Sequence, residues 1–326
     1  MALWREENPD VFAATIVTAA EQLRVQPLAV EKDYWVCEVL RTIAASHRDE
    51  IVFKGGTSLQ KLRIIKRFSE DLDLLVLGEF PNVRTAKRAM LTMLETAAST
   101  TGGNYTDRKS GGRLGTATQT ARLELPLDHS GTANGLADPT SVLIELGQAG
   151  GPNPALDGTV RSLLARQLAG AVDDIWEDLR PFSVSILHPG RTLIEKLLRV
   201  NNFVVDPARR NTTHGLPRIG RQFYDIWALL GHDLVTELLA DSAMVRDIVA
   251  SALDVSAHLD NPDHPVPDGG FAASAAFDPA GQFAEALRRE HDSAMDAFFY
   301  GDDPPSFDDV LNRVHACAEL LDPARH

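Results

Sequence analysis

Asp71 and Asp73, in the run Glu70-Asp71-Leu72-Asp73-Leu74-Leu75-Val76, set two carboxylates two residues apart inside an apolar stretch. Residues i and i+2 of a strand project to one face, so the two side chains should stand side by side. Carboxylates that close repel each other unless a cation lies between them, and hard oxygen donors suit Mg²⁺. Upstream, Lys54-Gly55-Gly56-Thr57-Ser58 places a glycine pair at the start of an expected helix, where backbone N–H groups favour anions. Glycine also serves ordinary strand-to-helix turns. The pair gains its meaning from the Asp-x-Asp that follows one helix later. No Gly-x-x-x-x-Gly-Lys-Ser/Thr pattern is present. A phosphate cradle beside a Mg²⁺-binding carboxylate pair is equipment for phosphoryl or nucleotidyl transfer.

These residues need a scaffold. Residues 9–48 read as helical: Phe12, Ile16, Ala19, Ala20 and Leu23 keep a helical period, Pro27 interrupts, and Val30, Tyr34, Cys37, Val39 and Leu40 resume it. Ile51-Val52-Phe53 reads as a strand delivering the glycines. Thr57 to Arg67 reads as a helix with Leu59, Leu62 and Ile65 inward and Lys61, Arg63, Lys66 and Arg67 outward. Leu72–Leu77, Ala121–Leu125 and Val142–Leu146 read as strands, and Thr85–Ala97 as a helix. Thr101–Thr120, rich in Gly and Thr, reads as a mobile hairpin or loop, and Gly147–Asp157 as a linker. Beyond it, helices are expected over 158–169, 190–202, 221–240, 243–257, 282–299 and 306–321, with a loop over 258–281. The implied fold class is α+β: a small mixed-sheet core at 51–150, an N-terminal helical segment at 1–50 and a helical C-terminal domain at 151–326.

Composition narrows the setting. The 326 residues are 44% hydrophobic, which suits a packed core. No run approaches the roughly 18 apolar residues of a membrane span. Cys37 and Cys317 are too few for a disulfide framework or a zinc site, and the first residues lack a signal-peptide pattern, so the cytoplasm is the expected location. The net charge of −14 is unevenly spread. Residues 51–125 carry 12 Lys/Arg against 7 Asp/Glu, and 180–222 carry 8 against 2, whereas 223–326 carry 5 against 20. The basic segments hold the motifs, so a local positive field can attract nucleotide and RNA phosphates despite the global sign.

The string K-G-G-T-S-L-Q-K-L through R-F-S-E-D-L-D-L resembles the AbiEii toxin family, within the nucleotidyltransferase superfamily built around a DNA-polymerase-β-like core. Glu31-Lys32-Asp33-Tyr34, Leu193-Ile194-Glu195-Lys196-Leu197 and Arg221-Gln222-Phe223-Tyr224-Asp225-Ile226 extend that resemblance over most of residues 28–230. It implies three carboxylates holding two Mg²⁺ ions. Asp71 and Asp73 are two of them, and Glu145 in Val-Leu-Ile-Glu-Leu is preferred as the third over Glu124. Gly55, Gly56, Thr57 and Ser58 would hold the NTP triphosphate, with Arg67 contacting phosphate or RNA and Ser69 at the pocket edge on the face of Asp71 and Asp73.

The resemblance also assigns Lys196 to nucleotide phosphates and makes Asp225 the group that orients Lys196 or an arginine. Without it, a helical lysine reads as snorkelling and a helical aspartate as a surface group. Lys32 stands as a candidate nucleotide or RNA contact, although an alternating-charge turn ordinarily faces solvent. The implied activity is transfer of NMP to RNA, a tRNA 3′ end, by a toxin of a toxin–antitoxin or phage-defence pair with a cognate antitoxin protein. In related toxins an antitoxin acts by phosphorylating a serine, which would make Ser69 a control point. Transfer to a protein hydroxyl or small molecule, or a non-catalytic binding module on the same fold, are the alternatives.

Overall fold

The computed structural model describes residues 2–111, 117–129, 140–168, 175–210, 216–257 and 262–325. Among the described residues, seven strands form one mixed sheet: β1 (Ile51–Lys54), β2 (Leu72–Val76), β3 (Asn104–Gly111), β4 (Thr118–Glu124), β5 (Ser141–Gly147), β6 (Ala155–Val160) and β7 (Phe182–Leu187). Their order is β3-β4-β5-β2-β1-β7-β6. β2 runs antiparallel to β1 and parallel to β5, and β1 runs parallel to β7.

Alternation along the strands sorts core from site. Ile51, Phe53, Leu72, Leu74, Val76, Ala121, Leu123, Val142, Ile144 and Leu146 point into one buried apolar cluster. Helices α3 (Pro27–His47) and α5 (Val83–Thr101) cover that face with Val36, Val39, Leu40, Ile43, Met90, Met93, Leu94 and Ala97. Asp73 and Glu145 fall between the inward residues of their strands and so belong to the opposite face. A second cluster joins α1 (Trp4–Glu7), α2 (Pro9–Leu23), α3 and α6 (Leu163–Gln167) through Trp4, Phe12, Ile16, Tyr34, Trp35 and Leu164.

Residues 1–63 and 68–186 form one compact unit, and Ile64–Arg67 with Leu187–His326 form another. The second contains α7 (Pro189–Val205), α8 (Pro207–Arg210), α9 (Leu216–Leu230), α10 (Asp233–Ala240), α11 (Ser242–Ala257), α12 (Ala284–Phe298) and α13 (Phe307–Ala316). Phe223 of α9 packs edge-on against Phe277 and Phe307, with ring centroids 5.8 Å and 5.2 Å away. A Cβ on Gly220 would stand 2.0 Å from the Glu290 carbonyl oxygen, so α9 and α12 meet backbone to backbone. Ile64–Arg67 joins this unit through an isolated antiparallel bridge from Arg67 to Phe299 and a 3.0 Å hydrogen bond from Tyr300 N–H to the Lys66 carbonyl.

Four sequence expectations are refined or changed. Residues 104–111 and 118–124 are antiparallel paired strands, which agrees with the hairpin reading of 101–120 and not with the loop one; part of that segment, with Arg113, lies outside the described residues. The sheet continues past residue 150 through β6 and β7, so the core does not end at the Gly/Pro-rich stretch expected to close it. Residues 155–160 form a strand where the end of a linker (155–157) and the start of a helix (158–160) were expected; the β-branched Thr159 and Val160 suit a strand. The helix α4 (Gly55–Lys61) is shorter than expected and stops before Arg63, whose φ of 63° is incompatible with its continuation.

Candidate active site

β1 delivers the chain to α4 across Gly55, whose φ is +80°. A Cβ at this position would lie 2.0 Å from Asp73 Oδ2 and 3.0 Å from Asp73 Cγ. Only glycine lets the backbone pass this close to the carboxylate. Two residues on, Thr57 is buried; its Oγ1 donates to the Asp71 carbonyl at 2.5 Å and lies 3.0 Å from Ser69 Oγ. Ser58 Oγ donates to the Gly55 carbonyl at 2.8 Å. Both hydroxyls, expected to face a triphosphate, here place their protons on backbone carbonyls and fix α4 to the strand entry. Gly55 and Gly56 keep partial solvent access.

The register across three strands brings the charged groups into a row. Asp73 pairs with Lys54 on one side and Glu145 on the other, and Glu145 pairs in turn with Thr120. Asp71 precedes β2 by one residue, on the same alternation as Asp73. Glu124 also shares this face, but it stands four residues beyond Thr120, about 13 Å along β4. Burial, together with the neighbouring Glu145 and Asp71 charges and a hydrogen bond with Glu145, pushes the Asp73 carboxyl up to about 7, while Lys54 pulls it down. Asp73 and Glu145 thus face each other across the β2–β5 pairing. Among the described residues no three His, Cys, Asp or Glu side chains converge on a common point as metal ligands. The donor chemistry nonetheless fits a hard divalent cation, because hard oxygen donors crowd on one face and repel one another.

Glu31-Lys32-Asp33-Tyr34 is not the solvated turn its charges suggest, nor is Lys32 an exposed contact. All four residues are buried. Lys32 Nζ pairs with Glu70 at 2.5 Å, and Asp33 pairs with Lys61 and accepts from Leu163 N–H at 2.6 Å. Glu31 accepts from Asp128 N–H and His129 N–H at 2.8 Å and 2.9 Å, and Tyr34 donates to Asp178 at 2.7 Å. In the sequence Glu31 and Asp33 stand only as members of a motif and Glu70 has no assigned role, while Lys61, expected on an outward helical face, is buried. The signal was in the flanks: Leu28-Ala29-Val30 and Trp35-Val36-Cys37 leave this helical turn no polar face.

The second unit holds its own charged cluster. Arg67 forks onto Asp225, with Nε 2.7 Å from Oδ1 and Nη2 2.6 Å from Oδ2. Lys196 Nζ lies 2.7 Å from Asp225 Oδ2 and donates to Gln222 Oε1 at 2.8 Å. Burial alone would push Asp225 up, yet Arg67 and Lys196 hold it below the usual carboxylate range. Burial lowers the Lys196 ammonium, with Asp225 opposing. Arg67, expected on an outward helical face, is buried against Asp225, and its neighbour Lys66 donates its N–H to the Tyr224 hydroxyl at 2.8 Å. Arg67, Lys196 and Asp225 therefore come together in one unit, while Asp71, Asp73, Glu145, Ser69 and the glycine turn come together in the other.

Among the described residues no helix is long and apolar enough to cross a membrane. A search of curated proteins finds no match. Among solved structures, the chain is similar to a Helicobacter pylori protein assigned as a nucleotidyltransferase, at 16% identity over 80% of this chain and 92% of that one, with a TM-score of 0.33. It is also similar to JHP933 from Helicobacter pylori, at 15% identity over 85% and 93% of the two chains, with a TM-score of 0.31. The model of the nucleotidyl transferase AbiEii toxin family, of type IV toxin–antitoxin systems, matches residues 38–313. That span includes the glycine turn, the carboxylate row and the Arg67–Asp225–Lys196 cluster, and the chain belongs to the AbiEii nucleotidyltransferase toxin family.

Proposed function

We propose that this nucleotidyltransferase moves NMP from an NTP to an RNA hydroxyl, the 3′ end of a tRNA, with Mg²⁺, and so arrests translation as the toxin of a phage-defence pair with its antitoxin. The observation that carries the reading is the row Lys54–Asp73–Glu145, with Gly55 pressed against Asp73. Asp71, Asp73 and Glu145 would hold the metal. Bound there, Mg²⁺ would lower the pKa of the acceptor hydroxyl and neutralise charge on the departing pyrophosphate. The backbone N–H groups of Gly55 and Gly56 would meet the phosphates, with the Thr57 and Ser58 hydroxyls keeping the turn in shape. Lys196, held by Asp225, is the second unit's candidate for phosphate contact, with Arg67 completing the same buried pairing. The basic segments at 51–125 and 180–222 support an RNA acceptor, whose binding should weaken steeply with salt.

The test is incubation with total tRNA, Mg²⁺ and each α-labelled NTP in turn, beside Asp71→Ala. Label on tRNA from one NTP, lost in the variant, supports the proposal and identifies the donor. Label on protein or on a small molecule instead moves the acceptor assignment. No label on anything, with NTP still bound, overturns catalysis by this chain in favour of a binding module.

A further inference from the structure

Glu31, Lys32 and Asp33 are consecutive on α3, so their side chains leave the helix about 100° apart. Each is committed to a different segment around the carboxylate face. Glu31 holds the backbone after β4 at Asp128 and His129, Lys32 holds Glu70, the residue before Asp71, and Asp33 holds Lys61, the last residue of α4. The polarity is inverted between neighbours: a lysine of α3 meets a glutamate, and an aspartate of α3 meets a lysine. Lys32 and Asp33 thereby grip the two stems of the 62–70 connection, whose middle, Ile64–Arg67, is packed in the other unit.

Buried ion pairs of this kind are weak sources of stability, because desolvation offsets much of the attraction, and apolar replacements of similar volume often fold as well or better. What such a pair supplies that an apolar contact does not is direction: a contact at 2.5 Å fixes where Glu70 stands. Glu70 is one peptide unit, about 3.8 Å between Cα atoms, from Asp71. Lys61 closes the seven-residue helix that begins at Gly55.

We infer that Lys32 and Asp33 are positioning residues, the first for the metal-binding strand entry and the second for the glycine turn. This rests on the nucleotidyltransfer reading above. Displacing a reacting group by about 1 Å costs on the order of 100-fold in rate. The two pairs should therefore fail differently. Loss of Lys32–Glu70 shifts Asp71 and lowers kcat with a raised Mg²⁺ requirement. Loss of Asp33–Lys61 shifts the turn and raises KM for the NTP.

The experiment compares two double variants of the full chain, Lys32→Met with Glu70→Leu, and Asp33→Asn with Lys61→Met; in the second, the side-chain amide oxygen would still accept from Leu163 N–H. For each, the melting temperature, kcat, KM for the NTP that the wild type incorporates, and half-saturating Mg²⁺ are measured, together with amide hydrogen exchange over 55–61 and 69–73. Expected is at least a 10-fold fall in kcat for the first pair and at least a 10-fold rise in KM for the second, with faster exchange in the matching segment. Folded variants with wild-type kinetic constants and exchange overturn the inference. Should a double variant fail to fold, Lys32→Arg and Asp33→Glu keep the charge but change the reach, and the same split is read from them. An inactive wild type refutes the nucleotidyltransfer reading instead, and the exchange data still decide whether the two segments are braced.

Discussion

Replacing Gly55 with alanine tests the central geometric relation of the site. Two penalties apply. A φ of +80° suits glycine, and an alanine there costs about 1–2 kcal/mol. The added Cβ would also stand 2.0 Å from Asp73 Oδ2, so the carboxylate must swing away by more than about 1 Å, leaving a relaxed rotamer at a cost of roughly 0.5–1.5 kcal/mol. Loss of its contact with Glu145 takes the total to about 2–4 kcal/mol. In an Asp73→Ala background the oxygen and Cγ are gone and the nearest remaining atom, Cβ, is 3.2 Å away. There Gly55→Ala should cost only the backbone term of about 1–2 kcal/mol. The coupling energy of the double-mutant cycle is then about 1–2 kcal/mol. Urea unfolding of the four metal-free proteins measures it, followed by tryptophan fluorescence; Trp4, Trp35 and Trp176 all lie in the unit that holds the site. Equal costs of Gly55→Ala in both backgrounds, within about 0.5 kcal/mol, would refute the close approach of turn and carboxylate.

Other substitutions probe the charges. Asp73→Asn should abolish transfer yet raise the stability of the metal-free protein at pH 8 by about 1–2 kcal/mol. It removes a carboxyl that burial and its neighbours push from 3.8 up to about 7; thermal melts without divalent ions check the sign. Asp225→Asn leaves Arg67 and Lys196 buried without their anion and should cost about 3–5 kcal/mol. Because the folded-state pKa of Asp225 lies below 3.8, its contribution is present above that value and is lost as pH falls through the lower folded pKa. A stability–pH curve should therefore fall less below pH 4 in the variant than in the wild type. Gly220→Ala forces α9 and α12 apart and should cost about 1–3 kcal/mol in chemical denaturation, with the spectral change concentrated at Trp227 of α9.

The chemistry was legible in the sequence where local spacing carries it. Asp71-x-Asp73 and Gly55-Gly56 declare themselves because strand alternation and positive φ are local properties. Most helices after residue 189 were legible for the same reason, but the single helix expected over 221–240 is divided into α9 and α10 between Leu230 and Asp233, and α8 was not anticipated. Only the resemblance prefers Glu145 over Glu124, because a choice from the residues alone depends on the β2–β5 register, which is non-local. Polar strands such as β3, reading Asn-Tyr-Thr-Asp-Arg-Lys-Ser-Gly, resemble loops until a neighbour supplies their hydrogen bonds. The charged turn of α3 misled most, because charge ordinarily signals solvent and here each charge has a buried partner.

The return of Ile64–Arg67 into the second unit has a consequence for dissecting this toxin. A single cut near residue 186 does not yield two self-sufficient pieces. The N-terminal fragment would carry away Arg67 and Lys66 without Asp225, Tyr224 and Tyr300, and the C-terminal fragment would keep Asp225 with only Lys196 to neutralise it. Neither half should be well behaved alone. Coexpressed halves, by contrast, can find each other through that four-residue graft, so a split toxin would regain its fold by complementation. A protease nick at the same place would leave the two parts associated until a denaturant released them.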